Sequence, residues 1–93
     1  IDLSAIRDAI RQEAKIELSY CDVNGGLTER TILPVALIYY SEAVVVAAWC
    51  EMRGDFRHFR PDRMVACTIL PDRFTGKGQG LRRDWAAQHA ADL

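Results

Sequence analysis

At Lys15 the spacing of apolar residues changes, and that change constrains the fold more than any other feature of the chain. Before it, Leu3, Ile6, Ala9, Ile10 and Ala14 recur at helical spacing, with Arg7, Asp8, Arg11 and Gln12 between them. This pattern predicts one amphipathic helix over Leu3–Ala14, of about three turns. Asp2 or Ser4 can cap its N-terminus. After it, Ile16, Leu18 and Tyr20 alternate with Glu17, Ser19 and Cys21. A period of two is that of a half-buried strand. Asp22-Val23-Asn24-Gly25-Gly26 follows, and Asn and Gly tolerate the positive φ that tight turns need. Leu27–Leu33 is then a returning strand, with Thr28, Arg30 and Ile32 on one face.

The strand pattern continues. Pro34 lacks a backbone donor and is expected to end the ladder or to sit at an edge. Val35–Tyr40 reads as a third strand. Ser41-Glu42 is a short turn. Val44–Cys50 is a fourth strand, favoured over helix by Val44-Val45-Val46. Phe56–Arg60 is a fifth, Pro61-Asp62-Arg63 a break with the look of a 3₁₀ turn, and Val65–Leu70 a sixth that Pro71 stops. One helix followed by five or six short strands predicts a mainly β domain, a small barrel or strongly bent sheet. Residues 75–80, Thr-Gly-Lys-Gly-Gln-Gly, have the composition of a flexible linker. Residues 81–93 have helical character, with Trp85, Ala86, His89 and Ala90 on one stripe.

The chain has 93 residues, of which 49% are apolar, and a net charge of −1. That supports one folded domain and excludes disorder. It also excludes recruitment of nucleic acid by a global positive field. The charge is uneven, however. Residues 1–42 carry four basic and seven acidic groups, and residues 43–93 carry eight basic and six acidic groups. An anion site therefore belongs in the second half. Cys21, Cys50 and Cys67 form no CxxC pair and have no clustered histidine, so they read as free thiols rather than metal ligands. No metal and no cofactor is expected. No stretch approaches a membrane span and no signal peptide is evident, so a cytoplasmic location is expected. The helix-like opening suggests a segment continuing from a longer protein.

The densest chemistry lies in AVVVAAWCEMRGDFRHFRPDRM, Ala43 to Met64. Arg53, Arg57, Arg60 and Arg63 fall within eleven residues, against Asp55 and Asp62. Phe56, His58 and Phe59 are interleaved with them. Guanidinium forks bind phosphate, and neighbouring aromatic rings can stack bases. The plainer alternative is that Arg63 pairs with Asp62 or Asp55 and the others are solvated. Strand alternation puts Arg57 and Phe59 on one face and Phe56, His58 and Arg60 on the other. Only a barrel rim or a bend near Pro61 brings the arginines together.

Catalytic constellations are missing. Ser4, Ser19 and Ser41 have no GxSxG context. His58 beside Arg57 reads as a stacking or core histidine, with the arginine disfavouring its protonation. GKGQG around Lys77 lacks phosphate-loop spacing. The chain is not expected to be an enzyme.

Residues Ser4 to Phe74 resemble the WYL domain of bacterial helix-turn-helix transcriptional regulators. The matching features are the opening helix, the LSYCDVNGGLTER hairpin with Arg30, the Pro34 step, and the block AAWCEMRGDFRHFRPDRM. The Trp-Tyr-Leu triplet that gives the family its name falls at Val44-Val45-Val46, where this chain has only valine. Trp49 and Tyr39 or Tyr40 are the residues that can supply aromatic surface instead. The resemblance implies an Sm-like, SH3-type barrel over residues 1–74, followed by the 75–80 linker and the 81–93 helical segment. It implies a regulatory domain sensing a nucleotide or single-stranded nucleic acid and controlling a DNA-binding helix-turn-helix carried elsewhere, with homodimerisation. The candidate ligand-binding residues are Arg30, Tyr40, Trp49, Arg53, Arg57, His58, Arg60 and Arg63. The alternative is a dimerisation module without a ligand of its own.

Overall fold

A computed structural model describes residues 2–91 of the chain. Helix α1 spans Leu3–Gln12, and the Asp2 side chain caps it by accepting from the Ser4 N–H at 2.9 Å. Its stripe buries Ile6 and Ala9. The helix ends at Glu13, which adopts the left-handed conformation at φ 54°. Strand β1, Ala14–Cys21, follows immediately, and its alternation turns Ala14, Ile16, Leu18 and Tyr20 inward. The Asp22–Gly26 turn forms as its composition predicts. Asp22 Oδ1 accepts from Asn24 N and Gly26 N, both at 2.9 Å, and Gly25 has φ 84°.

Strand β2 runs Leu27–Tyr39, β3 Val44–Cys50, β4 Asp55–Phe59 and β5 Met64–Arg73, with a 3₁₀ turn at Pro61–Arg63. The strands form one antiparallel sheet in the order β4-β3-β2-β1-β5. The described residues thus form five strands, because the expected second and third are one. Pro34 neither ends the ladder nor sits at an edge. It is buried in a central strand opposite Ala48, and the register shifts between Pro34 and Ala36. That bulge absorbs the missing donor. Pro71 likewise does not stop β5, which continues to Arg73; Pro71 lies in the stretch between Ile69 and Arg73 where the register against β1 shifts.

The sheet is rolled. In a flat sheet, three inter-strand steps of about 4.8 Å would separate β1 from β4 by about 14 Å. The rings of Tyr20 on β1 and Phe59 on β4 nevertheless meet edge to face, with centroids 5.0 Å apart. The roll encloses Ile16, Leu18, Ile32, Val46, Cys50 and Phe59, and α1 covers one mouth with Ile6 and Ala9. Burying Ile6 completely contributes roughly 1.5–3 kcal/mol. Among the described residues no ladder joins β4 to β5. The chain just past β4 is tied instead to β1, where the Arg60 N–H donates to the Tyr20 hydroxyl at 3.0 Å.

Helix α2 spans Gly78–Ala91, so it begins inside the glycine-rich run, three residues before the expected start. Residues 92 and 93 of the expected segment lie outside the described residues. Glu13 supplies the reason for the early start. Its carboxylate accepts from the N–H groups of Gly76 and Gly78, and so satisfies donors that glycine alone leaves bare at a helix start. The helix rests on its own sheet. Arg82 Nη1 donates to the Val35 carbonyl at 3.3 Å, and Trp85 reaches β4.

Candidate anion-binding cleft

Arg30 is the residue on which the cleft is built. It shares the inward face of β2 with Ile32 and is only 8% exposed. Its guanidinium lies 5.8 Å from the Tyr20 ring centroid and 5.5 Å from that of Phe59. Its Nε donates to Thr28 Oγ1 at 3.0 Å, and its Nη1 approaches Cys50 Sγ at 3.9 Å. Among the described residues it has no carboxylate partner within 4.0 Å. A buried cation normally requires an opposite charge. Here two aromatic faces supply part of that compensation.

Above Arg30 opens a cleft of about 370 Å³, lined by Tyr20, Arg30, Arg57, Phe59 and Arg63 among others, with Arg53, His58 and Arg60 also contributing. Arg53 comes from the turn between β3 and β4, which Gly54 permits with φ 63°. Arg57 and His58 project from β4, an edge strand. Arg60 and Arg63 follow the chain out of the strand. The 3₁₀ turn, closed by Arg63 N donating to the Arg60 carbonyl at 3.0 Å, breaks the two-residue alternation. That turn lets residues expected on opposite strand faces share one cleft.

Six of the eight candidate ligand-binding residues therefore converge. Trp49 and Tyr40 do not line the cleft. Trp49 packs edge to face on its cross-strand neighbour Phe56 at 5.1 Å. Tyr40 is exposed at the far end of the β2–β3 hairpin, where its N–H donates to the Ala43 carbonyl. The aromatic wall is made by Tyr20 and Phe59 instead. Sequence alternation groups Tyr20 with Ile16 and Leu18 and puts Phe59 on the Arg57 face, but only the roll of the sheet places them beside Arg30. The ion pairing also differs from the sequence expectation. Asp62 holds Arg60, not Arg63, in a two-pronged pair at 2.9 and 3.1 Å. Both side chains are at least half exposed, so this pair contributes little to stability and can open. Asp22 also lines the cleft, with its Oδ1 engaged by backbone N–H groups of its own turn.

His58 stands where the cleft meets α2. Its Nε2 accepts from Trp85 Nε1 at 2.9 Å. The His89 ring lies 5.4 Å away by centroids and stacks on Trp85 at 5.2 Å. Partial burial pushes the His58 pKa below its ordinary value, and His89 lowers it further. Arg57, the expected cause, is not among the groups responsible.

The fold and the cleft together define a small mainly β domain that presents a cationic, aromatic-walled cleft beside a terminal helix. The chain belongs to the WYL domain family, whose sequence profile matches residues 2–69. Among solved structures it is similar to proteasome accessory factor B/C (PafBC) of Arthrobacter aurescens. The two share 26% identity with a TM-score of 0.73, over 83% of this chain and 12% of that one. The chain thus corresponds to a small part of that protein. No curated protein matches it. Among the described residues no helix is long and apolar enough to cross a membrane.

Proposed function

We propose that this chain is the ligand-sensing regulatory domain of a bacterial transcriptional regulator. In this reading it takes a nucleotide or single-stranded nucleic acid into the arginine cleft and passes the bound state to a DNA-binding domain. The observation that carries the reading is Arg30, a guanidinium buried without a carboxylate at the base of a cleft bearing four more arginines. A phosphate there supplies the missing charge. Guanidiniums bind it by charge-assisted, two-pronged hydrogen bonds, which are about twice as strong as neutral ones. Family membership supports the regulatory context, because WYL domains are known from helix-turn-helix regulators.

Fluorescence anisotropy of a labelled oligothymidylate across a salt series tests the reading. Binding should weaken steeply with salt, with a log–log slope of about −0.7 per phosphate neutralised. Arg57→Ala and Arg60→Ala should each weaken it while the circular dichroism spectrum stays native. A flat salt response, or no binding at low salt, rejects the reading.

One observation favours a second reading, that of a dimerisation module. β5 is a ten-residue edge strand, and Val65 and Ile69 on it are exposed. An open edge of this kind can pair with a second copy. Light scattering of the chain, compared with a Val65→Lys variant, reports whether it does.

A further inference from the structure

Two cavities meet at β4. One is the arginine cleft. The other, about 200 Å³, lies between β4 and α2 and is lined by Phe56, Arg57, His58, Trp85, Gln88 and His89. Arg57 and His58 belong to both linings and β4 is an edge strand, so one molecule can pass around that edge from the first cavity into the second. We propose that the pocket between β4 and α2 receives one base of the ligand whose phosphates the arginines hold. This rests on the function proposed above and makes the terminal helix part of the binding site.

The size of the pocket limits its occupant. Pockets for drug-sized molecules begin at roughly 300 Å³, so this one suits a single ring system. Its walls are flat. Trp85 and His89 are stacked with 16° between their planes, and Phe56 stands opposite on β4. Such faces accept any base, because every base has a π face. The polar groups fit as well. The Trp85 N–H is already used by His58, and the Gln88 amide nitrogen donates to Asp55 Oδ1 at 3.3 Å. That leaves the Gln88 carbonyl oxygen to accept from a base edge. The lining has one guanidinium, two imidazoles and no carboxylate, so nothing in it repels a ring tethered to phosphate. Helix α2 lies beyond residues 2–69, so the pocket depends on a segment outside the family match.

The test compares an oligothymidylate with an abasic strand of the same length, both measured against the unaltered chain at low salt. The base-bearing strand should bind more tightly, by roughly five- to a hundredfold if a single base stacks. In a Trp49→Phe background, Trp85 emission should be quenched by the oligothymidylate and not by the abasic strand. Trp85→Leu and His89→Ala should each narrow the gap between the two strands. Equal binding of both strands by the unaltered chain overturns the pocket and leaves the arginine cleft standing. A gap that persists undiminished in both variants, with α2 helicity intact, also overturns it. Failure of both strands to bind overturns the proposed function and the pocket together.

Discussion

The Glu13 carboxylate accepts from the backbone N–H of Gly78 at 2.7 Å, joining the end of α1 to the start of α2 across 65 positions of sequence. The same side chain accepts from Gly76, and the Glu13 carbonyl accepts from Phe74 N. One residue in a left-handed conformation thus fixes the turn that seats α2. These bonds hold the Glu13 carboxyl below its ordinary pKa of 4.5, with the Gly76 bond the largest cause and the Gly78 bond the next. A carboxylate whose pKa is lowered by folding stabilises the structure above its ordinary value and loses that contribution as pH falls through the lowered one. Hydrogen-exchange protection factors of the first turn of α2, corrected for the intrinsic rate, should therefore fall as the solution is acidified below pH 4.5. Glu13→Gln should exchange quickly even at neutral pH. Gly78→Ala should act in the same direction, because a Cβ there would stand 2.5 Å from Glu13 Oε2.

Docking of α2 on β4 should have its own pH dependence, in a higher window. Trp85 can only donate, so its bond requires an unprotonated Nε2 on His58. The docked helix lowers the His58 pKa by burial and, to a lesser extent, through His89. Docking is then complete above the ordinary histidine value of 6.5 and weakens as pH falls below it. Trp85 emission measured between pH 8 and pH 5 should report the release. His58→Gln retains an acceptor that does not titrate and should flatten the curve.

Arg30 sets stability against binding. Replacing a buried charge with an apolar residue of similar volume is often neutral or stabilising, by about 1–4 kcal/mol. Arg30→Met should melt no lower than the parent chain, and should bind oligothymidylate at least tenfold more weakly. A lower melting temperature would show that the Tyr20 and Phe59 faces already satisfy the cation.

The valine triplet leaves room. Val44 lines a cleft of about 270 Å³ with Leu3, Glu42, Ala43, Arg60, Pro61 and Asp62. Val44→Trp should fill it and raise stability by about 0.5–2 kcal/mol, as cavity-filling changes commonly do. Chemical denaturation of the two chains measures the difference.

Truncating the helix stripe should be costly. Ile6 is 1% exposed under the mouth of the roll. Ile6→Ala should lower unfolding free energy by about 2–5 kcal/mol.

What the residues disclosed, and what they withheld, follows from the range of the forces involved. Local periodicity located α1, β1 and the Asp22–Gly26 turn, because those elements answer to neighbours within a few positions. Pro34 misled, since a proline inside a central strand is tolerated only through a bulge set by the partner strand. The start of α2 misled as well, because the group that caps it, Glu13, is distant in sequence. The arginines could be identified as a set from their spacing. Their convergence was legible only as a condition, a bend near Pro61, and the 3₁₀ turn meets it. Tyr20 carried no mark beyond its alternation, and its place in the cleft appears only when β1 is rolled to within reach of β4.

The unzipped seam between β4 and β5 has a mechanical consequence. A sheet closed by a full ladder behaves as a hoop of fixed circumference. This one is a split ring whose β4 end is held to β1 where the Arg60 N–H meets the Tyr20 hydroxyl, and Arg60 and Arg63 follow β4 at the split. If the proposed function holds, an anion drawn between those guanidiniums should pull the split shut against their mutual repulsion. The bore of the ring, and with it the packing beneath α1, would then follow what occupies the cleft.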